Sequence, residues 1–174
     1  MRLDRFDFMN IAAAAVFLAA ALGMAASGGS GNEAVKPAAS RVQAAPPSPT
    51  YYAGYDKARA LFDAGQFAQA VSELGKLAGA YPAQPDVHAL MGQAYSSLND
   101  YPNAMKEYRT ALQMEPEYVD KKSGRFIGKR IKATVKEGMA LAKDGLAKDK
   151  DDAASRAALS DAYYLERMLA GGCE

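Results

Sequence analysis

The sequence predicts an all-α fold in which antiparallel helix pairs form a helical-repeat array of about three units plus a C-terminal capping helix. Two observations carry this prediction. Apolar residues recur at helical spacing through residues 51–170. Residues 86–116 read as two helices around a turn at Asn99–Asp100, and a pair of this kind needs neighbours to bury its apolar face. Small and aromatic residues stand where the two helices must touch: Gly92, Ala94, Tyr95, Tyr101, Ala104, Tyr108 and Ala111.

Length and composition allow one modest domain with appendages. The chain has 174 residues, 49% of them hydrophobic, and a formal net charge of +1, so no bulk field points to nucleic acid. A single cysteine excludes an intramolecular disulfide, and with a single histidine it argues against a zinc site of protein ligands. No acid, base and nucleophile combine into a catalytic constellation. We therefore predict no catalytic residue, no metal and no cofactor, and hence not an enzyme.

Residues 1–26 are predicted to be a targeting or anchoring segment, helical and apolar. Arg2 and Arg5 precede the uncharged run Ile11–Ala26, which is shorter than the roughly 20 residues that span a bilayer comfortably. Small residues at 23–27 offer a signal peptidase a cleavage site. A cleaved signal peptide and a retained single-span membrane anchor both remain open. Either places the rest of the chain in the periplasm or on the periplasmic side of the inner membrane.

Two further segments are predicted to lie outside the folded domain. Residues 27–50 consist mostly of Ser, Gly, Ala and Pro, a composition that cannot bury enough apolar surface to order itself. We predict that they form a disordered tether between membrane and domain. Residues 171–174 form a flexible tail, in which Cys173 is either an inert thiol or the site of an intermolecular disulfide.

A repeat becomes visible when residues 86–116 are compared with the sequence 34 positions earlier. Ala104 then falls on Ala70, and the turn at Asn99–Asp100 falls on Gly65–Gln66. The second copy, with its closing Pro116, resembles the tetratricopeptide repeat family. The first copy fits that pattern less well, because Ala58 and Leu61 stand where the second copy has Gly92 and Tyr95.

Beyond Pro116 the repeat pattern is partly lost. We predict one long helix, about Arg125–Lys148, with Ser123 as its N-cap. A final helix, Asp152–Leu169, is predicted to cover the last exposed face of the array, as capping helices of such arrays do. Its residues divide into an apolar inner set and a polar outer set: Leu159 and Tyr163, then Glu166 and Arg167.

The family resemblance also implies a partner-binding groove, because ligand contacts in that family come mainly from fixed positions on the first helix of each repeat. The family's carboxylate clamp needs Lys and Asn at these places, and that arrangement is absent. Tyrosines with one arginine suit an extended segment or a helix, although ordinary packing explains Tyr52 and Tyr55 equally well. The implied groove residues are Tyr52, Tyr55, Arg59, Phe62 and Asp63 in the first unit and Asp86, Ala89, Gln93, Ser96 and Ser97 in the second.

A basic row is the second candidate site. Seven basic residues and no acidic one lie between Lys121 and Lys136. Four of them recur at helical spacing, where the dipole at a helix N-terminus disfavours cations. The row predicts a docking face for an acidic partner or for anionic lipid head groups. The alternative is a solvated face that balances nearby carboxylates. The row consists of Arg125, Lys129, Lys132 and Lys136, and Lys143 extends it.

Together these features predict a non-enzymatic protein–protein interaction scaffold or adaptor. The expected molecule is exported or membrane-tethered and holds one component of a cell-envelope or secretion-type assembly. The alternative is a self-associating oligomerisation module, a homodimer formed through the groove or through Cys173. No nucleic-acid partner is predicted.

Overall fold

The computed structural model describes residues 48–171. The predicted anchor, the linker as far as Pro47 and Cys173 lie outside that range. Six α-helices and one 3-10 helix make up the described chain, and no strand occurs within it. They are α1 Pro49–Asp63, α2 Phe67–Ala80, α3 Pro85–Ser97, α4 Tyr101–Met114, the 3-10 helix Pro116–Val119, α5 Gly128–Lys148 and α6 Ala153–Gly171.

The helices pack in chain order as three pairs, α1 with α2, α3 with α4, and α5 with α6. The predicted all-α repeat architecture is therefore confirmed. None of the helices in this range is long and apolar enough to cross a bilayer. Two groups of buried residues form the core, one in α1–α3 and one extending from α3 to α6, and Tyr95 packs against both.

The first two pairs repeat the same turn geometry. Gly65 has φ 75° and Asn99 has φ 60°, a left-handed conformation that glycine adopts freely and asparagine tolerates best among other residues. The two residues are separated by the predicted period. In the second pair Asp100 then caps α4, accepting a hydrogen bond from the Asn103 amide at 3.4 Å.

The weaker repeat pattern of the first copy has a packing explanation. In the second pair, a Cβ built at Gly92 would lie 2.7 Å from the ring of the fully buried Tyr108. The positions one period earlier hold Ala58 and Leu74, both also fully buried. Compared with the second pair, the first pair thus has a larger residue on its first helix, Ala58, and a smaller one on its second helix, Leu74. The total side-chain volume at this contact therefore stays similar.

Helix α1 begins inside the predicted linker. Ser48 is its N-cap, and its hydroxyl accepts a hydrogen bond from the Tyr51 amide at 3.3 Å. Pro49 occupies the first turn, where its missing N–H leaves no bond unmade. The Ser48 hydroxyl also lies 2.8 Å from that of Tyr81. The ordered domain therefore starts earlier than composition suggested.

Helix α5 begins at Gly128, so the prediction that it starts at Arg125 with Ser123 as N-cap is wrong. Ser123 instead accepts a hydrogen bond from the Arg125 amide at 3.1 Å within the preceding loop. That loop is held in place because the Ile127 amide donates to the Tyr118 carbonyl at 2.9 Å. The backbone thus reaches a helical conformation only after Ile127.

Helix α6 is the second member of the third pair as well as the last helix of the described chain. Its buried row consists of Ala158, Ala162 and Leu165. Tyr163 is 54% exposed, so its prediction as an inward residue is wrong. At about 100° per residue, Tyr163 is turned away from that row, whereas Leu159 stays at its edge and packs against the core.

Candidate partner-binding surfaces

Two of the predicted groove residues on α1, Tyr52 and Tyr55, belong to a cluster of tyrosines. Buried Tyr51 lies at its centre, with ring centroids 5.4 Å from Tyr52, 6.0 Å from Tyr55 and 5.3 Å from Tyr81. Tyr52 is 55% exposed, Tyr55 is half-buried and Arg59 is exposed. Of these three predicted residues, Tyr55 therefore packs within the array, whereas Tyr52 and Arg59 are accessible to a partner.

The remaining α1 candidates divide in the same way. Phe62 packs edge-on against Phe67 at 5.3 Å between ring centroids, so it links α1 to α2. Asp63, the last residue of α1, is exposed.

On α3, only part of the predicted set faces solvent. Ala89 is buried, and the Ser96 hydroxyl lies 2.8 Å from that of Thr134 on α5. Gln93 is half-buried and donates a weak hydrogen bond to the Ala89 carbonyl at 3.4 Å. The exposed Ser97 donates to the Gln93 carbonyl at 3.0 Å. Gln93 and Ser97 keep spare hydrogen-bonding capacity for a ligand.

Arg125 is not a member of the basic row, and this corrects the predicted site. It lies in the loop before α5, and its guanidinium is hydrogen-bonded to Asp86 at the start of α3. The same group lies 3.5 Å from Glu115 and 5.1 Å above the ring of Tyr118. Arg125 therefore anchors the loop to the second helix pair. The carboxylate of Asp86, a predicted groove residue, is engaged in this ion pair.

Tyr118 completes that contact, and its role was not predicted because no repeat position pointed to it. Its hydroxyl donates a 2.5 Å hydrogen bond to Asp86. Burial first, and then this bond, raise the pKa of Tyr118 above its usual value. Burial and then the Asp86 charge raise the pKa of Tyr55, and the same causes raise the pKa of Tyr51 to about 12. All three hydroxyls are neutral at physiological pH.

The other members of the basic row lie along α5. Lys129, Lys132 and Lys136 are exposed and fall within an arc of about 60° around the helix. Within the described part of the chain, the one ion-pair contact of Lys136 is with its neighbour Glu137 at 3.9 Å. Neither Lys129 nor Lys132 forms an ion pair with any carboxylate of residues 48–171. Their accessibility suits docking, which stays a prediction.

The groove and the basic row are separate surfaces. Thr134 is the α5 residue that contacts α3 through Ser96. Lys129, Lys132 and Lys136 lie roughly 140–160° around α5 from Thr134. The row therefore faces away from the groove-bearing helix α3.

Polar contacts that sequence patterns did not predict join the helices. Arg109 on α4 forms a 2.7 Å ion pair with Asp161 on α6 and stacks over the ring of Tyr164 at 5.0 Å. His88 Nδ1 on α3 lies 2.7 Å from a carboxylate oxygen of Glu107 on α4. Within residues 48–171, no cluster of His, Cys, Asp and Glu is arranged to hold a metal ion.

A comparison with protein families gave a match. Residues 85–118, which span α3, α4 and most of the 3-10 helix, match the family model described as Tetratricopeptide repeat. A comparison with curated proteins gave no match.

Proposed function

Because the chain is a tetratricopeptide repeat protein, we propose that it is an exported or membrane-tethered scaffold that holds a protein component of a cell-envelope or secretion-type assembly. A tetratricopeptide repeat implies a protein–protein interaction scaffold, and proteins of this family are generally non-catalytic interaction modules. The assembly, the compartment and the tether are the parts that we add.

The observation that carries the proposal is a repeat array with accessible side chains on the first helices of its pairs. Tyr52 and Arg59 on α1 and Ser97 on α3 are exposed, and Gln93 is half-buried. An aromatic ring, a guanidinium and two uncharged polar groups suit the binding of a protein segment.

The exposed lysines of α5 support the proposal that the partner is acidic. Three exposed ammonium groups within one arc raise the local positive potential although the net charge of the chain is only +1. Exposed charges of this kind steer association more than they add to affinity. The proposed partner therefore presents carboxylates to Lys129, Lys132 and Lys136.

Export rests on the sequence of residues 1–26. Two arginines precede an uncharged apolar run, and a linker follows. The mass of the mature protein distinguishes a cleaved signal peptide from a retained membrane anchor, because cleavage would remove roughly the first 26 residues. An intact Met1 with the protein in the membrane fraction supports the anchor, whereas an intact chain in the cytosol rejects export.

A self-associating module is the second candidate. The exposed Tyr52 and Tyr163 favour it, because exposed aromatic residues are common in protein interfaces. Size measurements with and without reductant test it, since a dimer linked through Cys173 would dissociate on reduction.

Crosslinking the full chain in its own cells, followed by affinity purification, tests the scaffold proposal. A distinct protein held in stoichiometric amount is expected. Recovery of the chain crosslinked only to itself supports the self-associating module, and an uncrosslinked monomer rejects both.

A further inference from the structure

Within residues 48–171, the third helix pair has a face that no other helix covers. In the first two pairs, the second helix packs against the first helix of the next pair, α2 on α3 and α4 on α5. No helix follows α6 within residues 48–171. The sides of α5 and α6 that point away from the preceding pairs are called here the terminal face.

On α5, apolar residues border this face. Thr134 marks the side that contacts α3. At about 100° per residue, Met139 and Leu146 lie on the opposite side of the buried row formed by Val135 and Ala142. Both are half-buried, so each retains apolar surface at the edge of the core.

On α6, two more apolar residues continue the strip. Asp161 and Tyr164 mark the side that contacts α4, because both touch Arg109. Leu159 and Tyr163 lie across the buried row from them. Leu159 is half-buried and Tyr163 is 54% exposed. The centre of the terminal face is therefore an apolar strip contributed by both helices.

Basic residues flank the strip mainly on α5. Lys132 and Lys143 form no ion pair with residues 48–171, and Lys136 has only the 3.9 Å contact with Glu137. On α6, Arg156 lies 3.5 Å from Asp151, and Arg167 stacks over the Tyr164 ring at 5.7 Å. Glu166 lies on the same side of α6 as Leu159 and Tyr163. The positive charge beside the strip therefore comes mainly from the lysines of α5.

We propose that the terminal face binds an amphipathic helix of the protein partner, with an apolar stripe bordered by Asp and Glu. This inference rests on the proposed scaffold function. A helix is the expected shape because helices cover the equivalent faces of the first two pairs. Acidic borders are expected because they complement the lysines of α5 beside the apolar strip.

Two occupants from the chain itself fit less well. The apolar run Ile11–Ala26 contains no charged residue, so it would leave the basic borders without counter-charges. A second copy packed through a two-fold axis would place the same basic face against itself. Like charges would then meet across the contact, and this opposes association.

The test places a photo-crosslinking amino acid at Tyr163 in the full chain, in its own cells, with the same substitution at Tyr52 as the matched control. Both positions are similarly exposed, but Tyr52 lies on the groove. The crosslinked peptides are then mapped. A second variant, Lys136→Glu with Lys143→Glu, tests the charge requirement.

The expected result is a crosslink from position 163 to an acidic amphipathic helix of another protein, reduced about tenfold by the paired lysine reversal. A crosslink instead to residues 1–47, to a second copy, to lipid or to a non-helical segment overturns the inference. Unchanged yield in the lysine variant overturns it as well. Capture of a protein from position 52 alone rejects the terminal face but keeps the scaffold function, whereas no captured protein from either position rejects both.

Discussion

Gly92 lies against the ring of Tyr108, so close that a Cβ built at residue 92 would be 2.7 Å from a ring carbon. The two residues face each other across the α3/α4 pair, and the ring is fully buried. Because Gly92 has no side chain, the ring of Tyr108 can pack directly against the backbone of α3. This contact fixes the separation of the helices in the repeat that matches the family.

Gly92→Ala is expected to destabilise the fold, because the added methyl group must displace a buried ring. Overpacking of this kind costs about 1–3 kcal/mol. Gly75→Ala is the matched control: a Cβ there meets nothing within 4 Å, and the better helix propensity of alanine should add about 0.5–1 kcal/mol. Urea unfolding of both variants measures the difference, and equal shifts would contradict the packing account.

Arg125→Ala is expected to lower the free energy of unfolding by about 1 kcal/mol, because it removes the bond to Asp86 and the stacking on Tyr118. The value is modest because both charged side chains are partly exposed. Lys129→Ala removes an exposed cation that forms no ion pair within residues 48–171, and it should stay within about 0.5 kcal/mol of the native chain. A loss of partner binding by Arg125→Ala at full stability would instead make Arg125 a docking residue.

Stability is expected to fall as pH rises from 10 towards 12. Burial raises the pKa of Tyr51 to about 12, so above pH 10 the unfolded chain releases this proton before the folded chain does. The stabilisation is complete below pH 10 and is lost as pH passes through the folded value. Tyr51→Phe should make the decline shallower by at most about 1.4 kcal/mol per pH unit. Denaturant titrations at pH 8, 10, 11 and 12 measure this slope, and parallel profiles would reject the assignment.

Leu165→Ala tests whether α6 belongs to the common core. Leu165 is fully buried in the cluster that also contains Ile131 and Val135 of α5. Its truncation should cost about 2–5 kcal/mol. Leu141→Ala removes the same atoms from a residue that is 53% exposed, and it should cost less than about 1 kcal/mol. A small effect at both positions in thermal unfolding would show that α6 packs loosely.

Local signals in the sequence predicted most of the repeat geometry. The turns at Gly65 and Asn99 follow from residue types that tolerate positive φ, and the period relates them. The start of α5 was missed, because the hydrogen bond from Ile127 to Tyr118 decides it rather than a capping side chain. Position in the helical pattern did not predict exposure everywhere: Tyr163 was expected to face inward and is 54% exposed.

The binding surfaces were predicted less completely for the same reason. Arg125 fitted the spacing of the basic row, but its carboxylate partner Asp86 lies 39 residues away in the chain. The separation of the groove from the row depends on the contact of Ser96 with Thr134. Both are tertiary contacts between helices, and no local pattern specifies them.

Partner recovery after in-cell crosslinking of the full chain tests the central claim most directly, when the native protein is compared with the Lys129→Glu, Lys132→Glu, Lys136→Glu variant. A control with Lys106→Glu and Lys150→Glu reverses exposed charges elsewhere. The account predicts that the native chain and the control recover the same protein and that the triple variant loses it. Equal recovery in all three would contradict docking through the basic row, and recovery of no second protein would contradict the scaffold itself.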